Sequence, residues 1–335
     1  MRIQYGLLSV YSRGLNAKIV QFDQIVQKDL FRRYSHIMEA VQMNKLVSPR
    51  DLARAIGMSE SSLKRWADRG LLRVTRTAGG HRRITIKDAL SFVRNKRLNI
   101  LSPGAIGLPA RNAQLDLDEV SFNESLYEKL VAGDKEVVWQ MLIGRFLEGA
   151  SIAELGDGPI KSALSEIGSK WGHEADAIFI EHRATDLCVQ VIQQMRVLAT
   201  TENKTFRATG GAVDNDPYLL PSMLVASIIV EHGGDATNLG PNTPIDVLRI
   251  DSIQRPPEAQ PQLVWISASI IKDPVSLSSQ ISAFAKECGE AGIMVAVGGR
   301  DVGQLSLEEI PNLSLHSTLA GFDKQARDLA SSFNG

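Results

Sequence analysis

Along residues 122–200 apolar side chains return every three or four positions, as in Val137, Met141, Phe146 and Leu147, or in Ile160, Leu164, Ile167 and Trp171. That period puts them on one face of a helix. Successive stretches of this kind, "NESLYEKLVAGD", "DKEVVWQMLIGRFLEG", "PIKSALSEIGSKWG" and "DAIFIEHRATDLCVQVIQQMRVLAT", predict a small four-helix bundle. From Lys204 the pattern changes. Short runs, "TFRATG", "DATNLG", "LVWISAS", "IMVAVGG" and "LSLHST", read as strands, with helices between them and at "DKQARDLASSF". Such alternation predicts a doubly wound parallel sheet, with any ligand at the carboxyl ends of its strands.

The N-terminal part reads differently. In "NKLVSPRDLARAIGMSESSLKRWADRGLL", Ser48 has the place of an N-cap, Pro49 the first helical position and Asp51 the capping-box position. Leu52, Ala55 and Ile56 form an inward stripe, and Gly57 permits a tight turn. Ser59 caps a second short helix with Leu63 and Trp66 inward, leaving Ser61, Ser62, Lys64 and Arg65 to face out. Next, "RGLLRVTRTAGGHRRITIKDALSF" predicts a strand, a Gly-Gly hairpin, a second strand and a helix from Lys87. The following "LSPGAIGLPARNAQLDLDEVSFNE", rich in Pro, Gly and small polar residues, reads as a linker. The expected organisation is an extension over 1–43 with no assigned function, a winged helix-turn-helix over 44–100, a linker over 101–121, the bundle over 122–202 and the α/β domain over 203–335. The fold class is multidomain, α and α/β.

Charge sharpens the reading of the first module. The chain of 335 residues has a net charge of −1, but residues 44–100 carry fourteen Lys/Arg against four Asp/Glu, about +10, and residues 101–335 carry seventeen against thirty-one, about −14. A basic block on an acidic body is the electrostatic footprint of a nucleic-acid module. No apolar run is long enough to span a bilayer. Two cysteines, Cys188 and Cys288, both in helical stretches, argue against a disulfide framework or a cysteine-based zinc site and fit a reducing cytoplasm. The start, "MRIQYGLLSVYSRGLNAKIV", lacks the continuous apolar stretch of a signal peptide. There is no GxGxxG fingerprint or Walker loop, so a dinucleotide or ATP site is poorly supported.

Gly70-Leu71-Leu72, Arg76-Thr77, Gly79-Gly80-His81-Arg82 and Asp88-Ala89 together resemble the winged helix-turn-helix of the MerR family, over about 50 residues. The resemblance implies binding of double-stranded DNA. Ser61, Ser62, Lys64 and Arg65 would then lie on the recognition helix, and Arg76, His81, Arg82 and Arg83 at the wing, on phosphates or in a minor groove.

In "WGHEADAIFIEH", nine residues separate Trp171 from Glu181-His182, a pair that alone reads as ordinary core or surface. In its context, "PIKSALSEIGSKWGHEADAIFIEHRAT" resembles the helical cap of the adenosylcobalamin-dependent photoreceptor repressors. The resemblance implies that Trp171, Glu181 and His182 cover the upper face of the cofactor. The α/β segment adds small residues at successive strand ends: Leu239-Gly240 with Thr243 and Pro244, then Ser267 and Ser269, then Gly298-Gly299. Each alone could be an ordinary turn, but their order resembles the cobalamin-binding fold, where such positions line a cleft for the nucleotide tail.

One motif departs from that family. Its first strand is followed by Asp/Glu-x-His-x-x-Gly, whose His lies under cobalt and whose acid orients the His. In "AVDNDPYLLP", Asp216 takes the acidic place, Tyr218 the His place and Pro221 the Gly place. Three readings stay open: cobalamin, the preferred one, with no protein ligand beneath cobalt; another tetrapyrrole, haem on a tyrosine phenolate or a linear bilin; or an empty cleft. The expected function is a cytoplasmic DNA-binding regulator, a repressor and not an enzyme, whose homo-oligomeric state (dimer or tetramer) follows a ligand or light. The competing class is a corrinoid-carrying methyltransfer or mutase subunit.

Overall fold

The computed structural model describes residues 43–108, 117–170, 175–201 and 204–333. Contacts divide the chain into two units, Met1–Leu46 and Val47–Gly335. The second holds the winged module, the bundle and the sheet; the extension read over 1–43 lies almost wholly outside the described residues.

The winged module forms where its local signals stand. Helix α1 (Pro49–Ala55) starts at Ser48, which accepts from Asp51 N while the Asp51 carboxylate returns to Ser48, a complete capping box with Pro49 behind it. Helix α2 (Glu60–Asp68) is capped by Ser59, and Gly57, at φ +68°, makes the turn between them. Strands β1 (Thr75–Arg76) and β2 (Arg82–Thr85) pair antiparallel, Thr75 opposite Arg83, around a turn closed by Gly80 N to Thr77 O at 2.8 Å. Helix α3 (Ile86–Asn95), capped by Thr85, packs Phe92 against Trp66 at 5.1 Å between ring centroids. The segment read as a linker begins as part of this core: Leu101 N and Ser102 N both donate to Ala55 O, and Ile106 is buried.

Four longer helices follow: α4 (Glu119–Ala132), α5 (Lys135–Glu148), α7 (Lys161–Lys170) and α8 (Ala175–Ala199). A short α6 (Ile152–Leu155) and a π-turn over Gly156–Ile160 lead into α7, the kink falling at Gly158-Pro159. Leu126, Leu130, Met141, Phe146, Ile167 and Ile192 fill the interior, and Trp139 Nε1 donates to Gln194 Oε1 at 2.5 Å, pairing the buried polar groups. Cys188 and Cys288 are buried free thiols, each pushed up to about 12 by burial.

Strands β3 (Arg207–Ala212), β4 (Asp235–Asn238), β5 (Leu263–Ser267), β6 (Met294–Gly298) and β7 (Leu313–His316) form a parallel sheet in the order β4-β3-β5-β6-β7. Helices α10 (Ile245–Asp251) and α11 (Pro274–Glu290) cover one face over Val264, Ile266, Val295 and Val297. Helices α9 (Leu219–Glu231) and α12 (Leu319–Ser332) pack together, α9 against the other face. The predicted strands are present, but the β6–β7 connection holds only a 3-10 turn, Val302–Gln304, since Gly299, Gly303 and Pro311 leave no helical run. Asp157 of the π-turn accepts from Leu319 N and Ala320 N at 3.1 and 2.9 Å, so the bundle caps α12.

Trp265 lies over the bare backbone of Gly210, where a Cβ would stand 2.2 Å from the indole and from Trp265 O. Gly210→Ala is therefore expected to lower stability by about 1–3 kcal/mol or more, through overpacking against a rigid strand; thermal or urea unfolding measures it.

Candidate nucleic-acid interface and strand-end cleft

On α2, Ser61, Lys64 and Arg65 are exposed, because Leu63, on the opposite side, is the residue the helix buries. Ser62 is half-buried and its hydroxyl is engaged with Ser59 at 2.9 Å, while Lys64 pairs with Glu60 at 2.8 Å. At the wing, Arg76 and His81 are exposed and Arg83 half-buried. Arg82 differs from its neighbours. It donates to Asp68 at 2.5 Å and to Lys64 O at 3.2 Å, bracing the wing against α2 rather than projecting from it. Helix and wing thus present one basic face held by an internal ionic contact.

The strand-end residues divide into two groups. Asp216, fully buried, accepts from Ser269 N at 2.6 Å, from Ile270 N at 3.4 Å and from Tyr218 N at 3.0 Å, so it ties the loop after β3 to the loop after β5. Burial pushes its carboxyl up, against the pull of those three donors and of Arg300. Tyr218 is the N-cap residue of α9, gives the helix no side-chain cap, and is 37% exposed with Arg300 5.7 Å from its ring centroid. Arg300 in turn donates to Ser269 O at 2.8 Å.

Beneath these loops the sheet face toward α9 is filled. Trp265 Nε1 donates to Ser222 Oγ at 3.0 Å, Ser222 Oγ donates to Asn238 Oδ1 at 2.9 Å, and Gly240 N donates to the same Asn238 oxygen at 3.0 Å. A Cβ on Gly211 would lie 2.7 Å from Thr243 Oγ1, one on Gly298 3.0 Å from His316 O, and one on Gly299 (φ +127°) 2.4 Å from Ala268 O. At Gly298 and Gly299 the narrow slot read from the strand ends is closed by backbone contacts. Two features remain open. Gly240, at φ +89°, faces free space, and Ser267 Oγ is buried without a hydrogen-bond partner. On the other side of the strand ends a cavity of about 220 Å³ lies between the loops after β3 and β5 and the starts of α10 and α11, with Val213, Asn215, Ile245, Ile270, Lys272 and Leu277 in its wall.

Trp171 lies outside the described residues. Helix α8 packs along α9, and Arg196, near its C-terminus, donates to Ala236 O at 2.6 Å by the start of β4. Its amino-terminal turns therefore run toward the carboxyl ends of the strands, carrying half-buried Glu181 and exposed His182.

Residues 47–91 match the family model described as MerR HTH family regulatory protein. No curated protein matches this chain. Among solved structures it is similar to the monomethylamine corrinoid protein of Methanosarcina barkeri, at 13% identity and TM-score 0.47, over 61% of this chain and 96% of that one. It is also similar to the methanol:cobalamin methyltransferase complex MtaBC from Methanosarcina barkeri, at 13% and 0.31, over 67% and 86%. A third is a novel cobalamin-binding protein from Desulfitobacterium hafniense DCB-2, at 12% and 0.30, over 62% and 98%. Likenesses of this size carry no inference about ligand or activity.

The MerR-type segment thus covers both short helices, the wing and the first part of α3. For the cleft, the residues themselves are the test of fit. Gly240 and the unpartnered Ser267 hydroxyl suit a cradle for a polar group. Trp265 occupies the space a tail threaded between α9 and the sheet would need, and Tyr218 lies against Arg300; a corrinoid held from below, tail inward, does not fit this arrangement. Among the described residues there is no group of three His, Cys, Asp or Glu side chains able to hold a metal ion, and no helix long and apolar enough to cross a membrane.

Sequence reasoning passes over Arg94, Glu231, Trp265 and Ser222. The one available signal is Glu231, a lone carboxylate closing the otherwise apolar "LLPSMLVASIIVE". For Asp216→Asn, whose amide offers one acceptor oxygen where the carboxylate offers two, amide exchange at Tyr218 and at Ser269–Ile270 is expected to rise about tenfold, the loss of one buried hydrogen bond. Hydrogen-exchange mass spectrometry reads it directly.

Proposed function

We propose that the protein is a DNA-binding transcriptional regulator, a repressor that acts by occupying double-stranded DNA. The observation that carries this reading is the basic face made by α2 and the wing. Lys64, Arg65, Arg76 and His81 are all exposed there, on a segment that matches the MerR helix-turn-helix model. Helix α2, nine residues long, is of a size to enter a major groove, with the wing on the adjacent backbone. One such module offers few base contacts, so useful specificity calls for a homo-oligomer on repeated half-sites. The catalytic alternative, a corrinoid-carrying methyltransfer or mutase subunit, accounts neither for this face nor for Tyr218 in the place of a metal ligand.

The α/β part is read as the sensing half. The Ser267 hydroxyl and the open Gly240 turn at the strand ends would hold polar groups of a corrinoid, with Glu181 and His182 on the bundle side. Adenosylcobalamin is expected to stay with the protein through a desalting column, and its loss there removes it as the ligand. Retention of haem or biliverdin under the same conditions assigns another tetrapyrrole.

Lys64→Ala and Arg65→Ala are each expected to weaken binding to a duplex by about five- to tenfold and to lower the salt slope by about 1, as for loss of one phosphate contact. Gel-shift titration across salt concentrations checks this, and unchanged affinity in both variants removes α2 as the recognition helix.

A further inference from the structure

One buried ionic contact joins the winged module to the rest of its unit, and neither the basic face nor the cleft uses it. Arg94, in the last turn of α3, lies 3.5 Å from the centroid of the Phe146 ring and donates to the carbonyls of Phe146 and of Ala150, the latter at 3.0 Å. Its other terminal nitrogen pairs with Glu231, the last residue of α9, whose second oxygen accepts from Ile152 N at 2.9 Å. The two side chains are 15% and 11% exposed. Beside them Ser91 Oγ donates to Leu198 O at 2.7 Å, near the end of α8. The module, the bundle and the α/β layer meet at one guanidinium.

Burial and pairing oppose each other at this contact: burial lowers the Arg94 pKa and raises that of Glu231, against their mutual attraction. Glu231 also sits at the negative end of the α9 dipole, where a carboxylate is disfavoured. Asp323, which pairs with His232 at 2.7 Å and with Arg327 at 2.6 Å, adds a like charge nearby. The same helix, with Tyr218 in the strand-end cleft as its N-cap residue, runs from Leu219 to Glu231. Its thirteen residues span about 20 Å at 1.5 Å each.

We propose that the Arg94–Glu231 pair is a latch fixing the orientation of the MerR-type module, and that a shift of α9 started at its cleft end opens it. Lys64, Arg65, Arg76 and His81 stay exposed with the latch closed, so it sets how the module is held, not whether DNA can reach it. Only this consequence rests on the DNA-binding reading.

The test is hydrogen exchange on the full chain for wild type, Arg94→Met, the double variant Arg94→Met/Glu231→Met, and each with Asp216→Asn added. The double variant leaves no buried charge unpaired. Both latch variants are expected to exchange at least tenfold faster at Ser91–Asn95 and Ile152–Leu155, with Val138–Leu142 and Val264–Ile266 keeping wild-type protection. Asp216→Asn alone is expected to speed exchange at Ser91–Asn95 about threefold, and to add nothing in the double variant. Wild-type exchange at Ser91–Asn95 in the double variant, an even loss of protection across all four segments, or a full additive effect of Asp216→Asn overturns the latch. A short duplex is expected to bind the double variant within twofold of wild type. Absence of duplex binding in wild type sinks the DNA reading, and the exchange pattern still decides the latch.

Discussion

A guanidinium cannot be buried without acceptors, and Arg94 finds its acceptors on two separate pieces of chain, the end of α5 and the end of α9. The carbonyl of Phe146, which also accepts from Gly149 N at 3.2 Å, lies in the last turn of α5 and that of Ala150 just past its end, Glu231 closes α9, and the Phe146 ring supplies the face beneath. Each acceptor has its own structural reason to be there, and the arginine makes their joint position obligatory. Moving any one piece leaves a buried charge or a helix-end carbonyl unpaired. This is why the winged module, though read from sequence as a separate domain beyond a linker, shares one compact unit with the bundle and the sheet.

The strand-end cleft obeys the same rule of satisfied polar groups with another result. Where the resembled family places an acid to orient a histidine, Asp216 spends its oxygens on the backbone of two loops and of Tyr218. With no histidine to orient, the carboxylate became a brace. Trp265 similarly answers the absence of side chain at Gly210: an indole covers the bare strand, and its N–H is carried by Ser222 to Asn238 and the Gly240 turn. Ser267, two residues along the same strand face, is left with a buried hydroxyl and nothing to bond.

What could be read from sequence is what is decided locally. Ser48 with Pro49 and Asp51, Ser59 before α2, and the Gly80 hairpin act within a few residues, and each stands where its neighbours put it. The five strands were legible because their apolar runs are short and flanked by turns. The apolar pattern places the bundle from 122, yet its first helix starts three residues earlier at Glu119, where the Asp118 side chain caps it. Arg82 and Ser62 are harder: residue type and helical face say exposed, and only the folded geometry shows Arg82 on Asp68 and Ser62 on Ser59. Arg94 and Glu231, 137 positions apart, are beyond any pattern of local spacing.

The charge division gives the latch its physical consequence. Residues 44–100 carry about +10 and residues 101–335 about −14, so a freely tethered module would be drawn back onto its own acidic body in competition with DNA. Fields of this kind fade over about 8 Å at physiological ionic strength. Over that range the self-attraction is weak: Lys64, Arg65, Arg76 and His81, turned to solvent, keep their charges for phosphates, and the latch sets how the module is presented. The ionic contact that achieves this lies at the far end of the module, on α3, where it is shielded from salt by burial. Salt that weakens the DNA contacts thus leaves the latch largely intact, and a shift of α9, which weakens the latch, leaves the basic face chemically unchanged. Two properties that would otherwise rise and fall together, affinity for the duplex and presentation of the module, are set by separate charges.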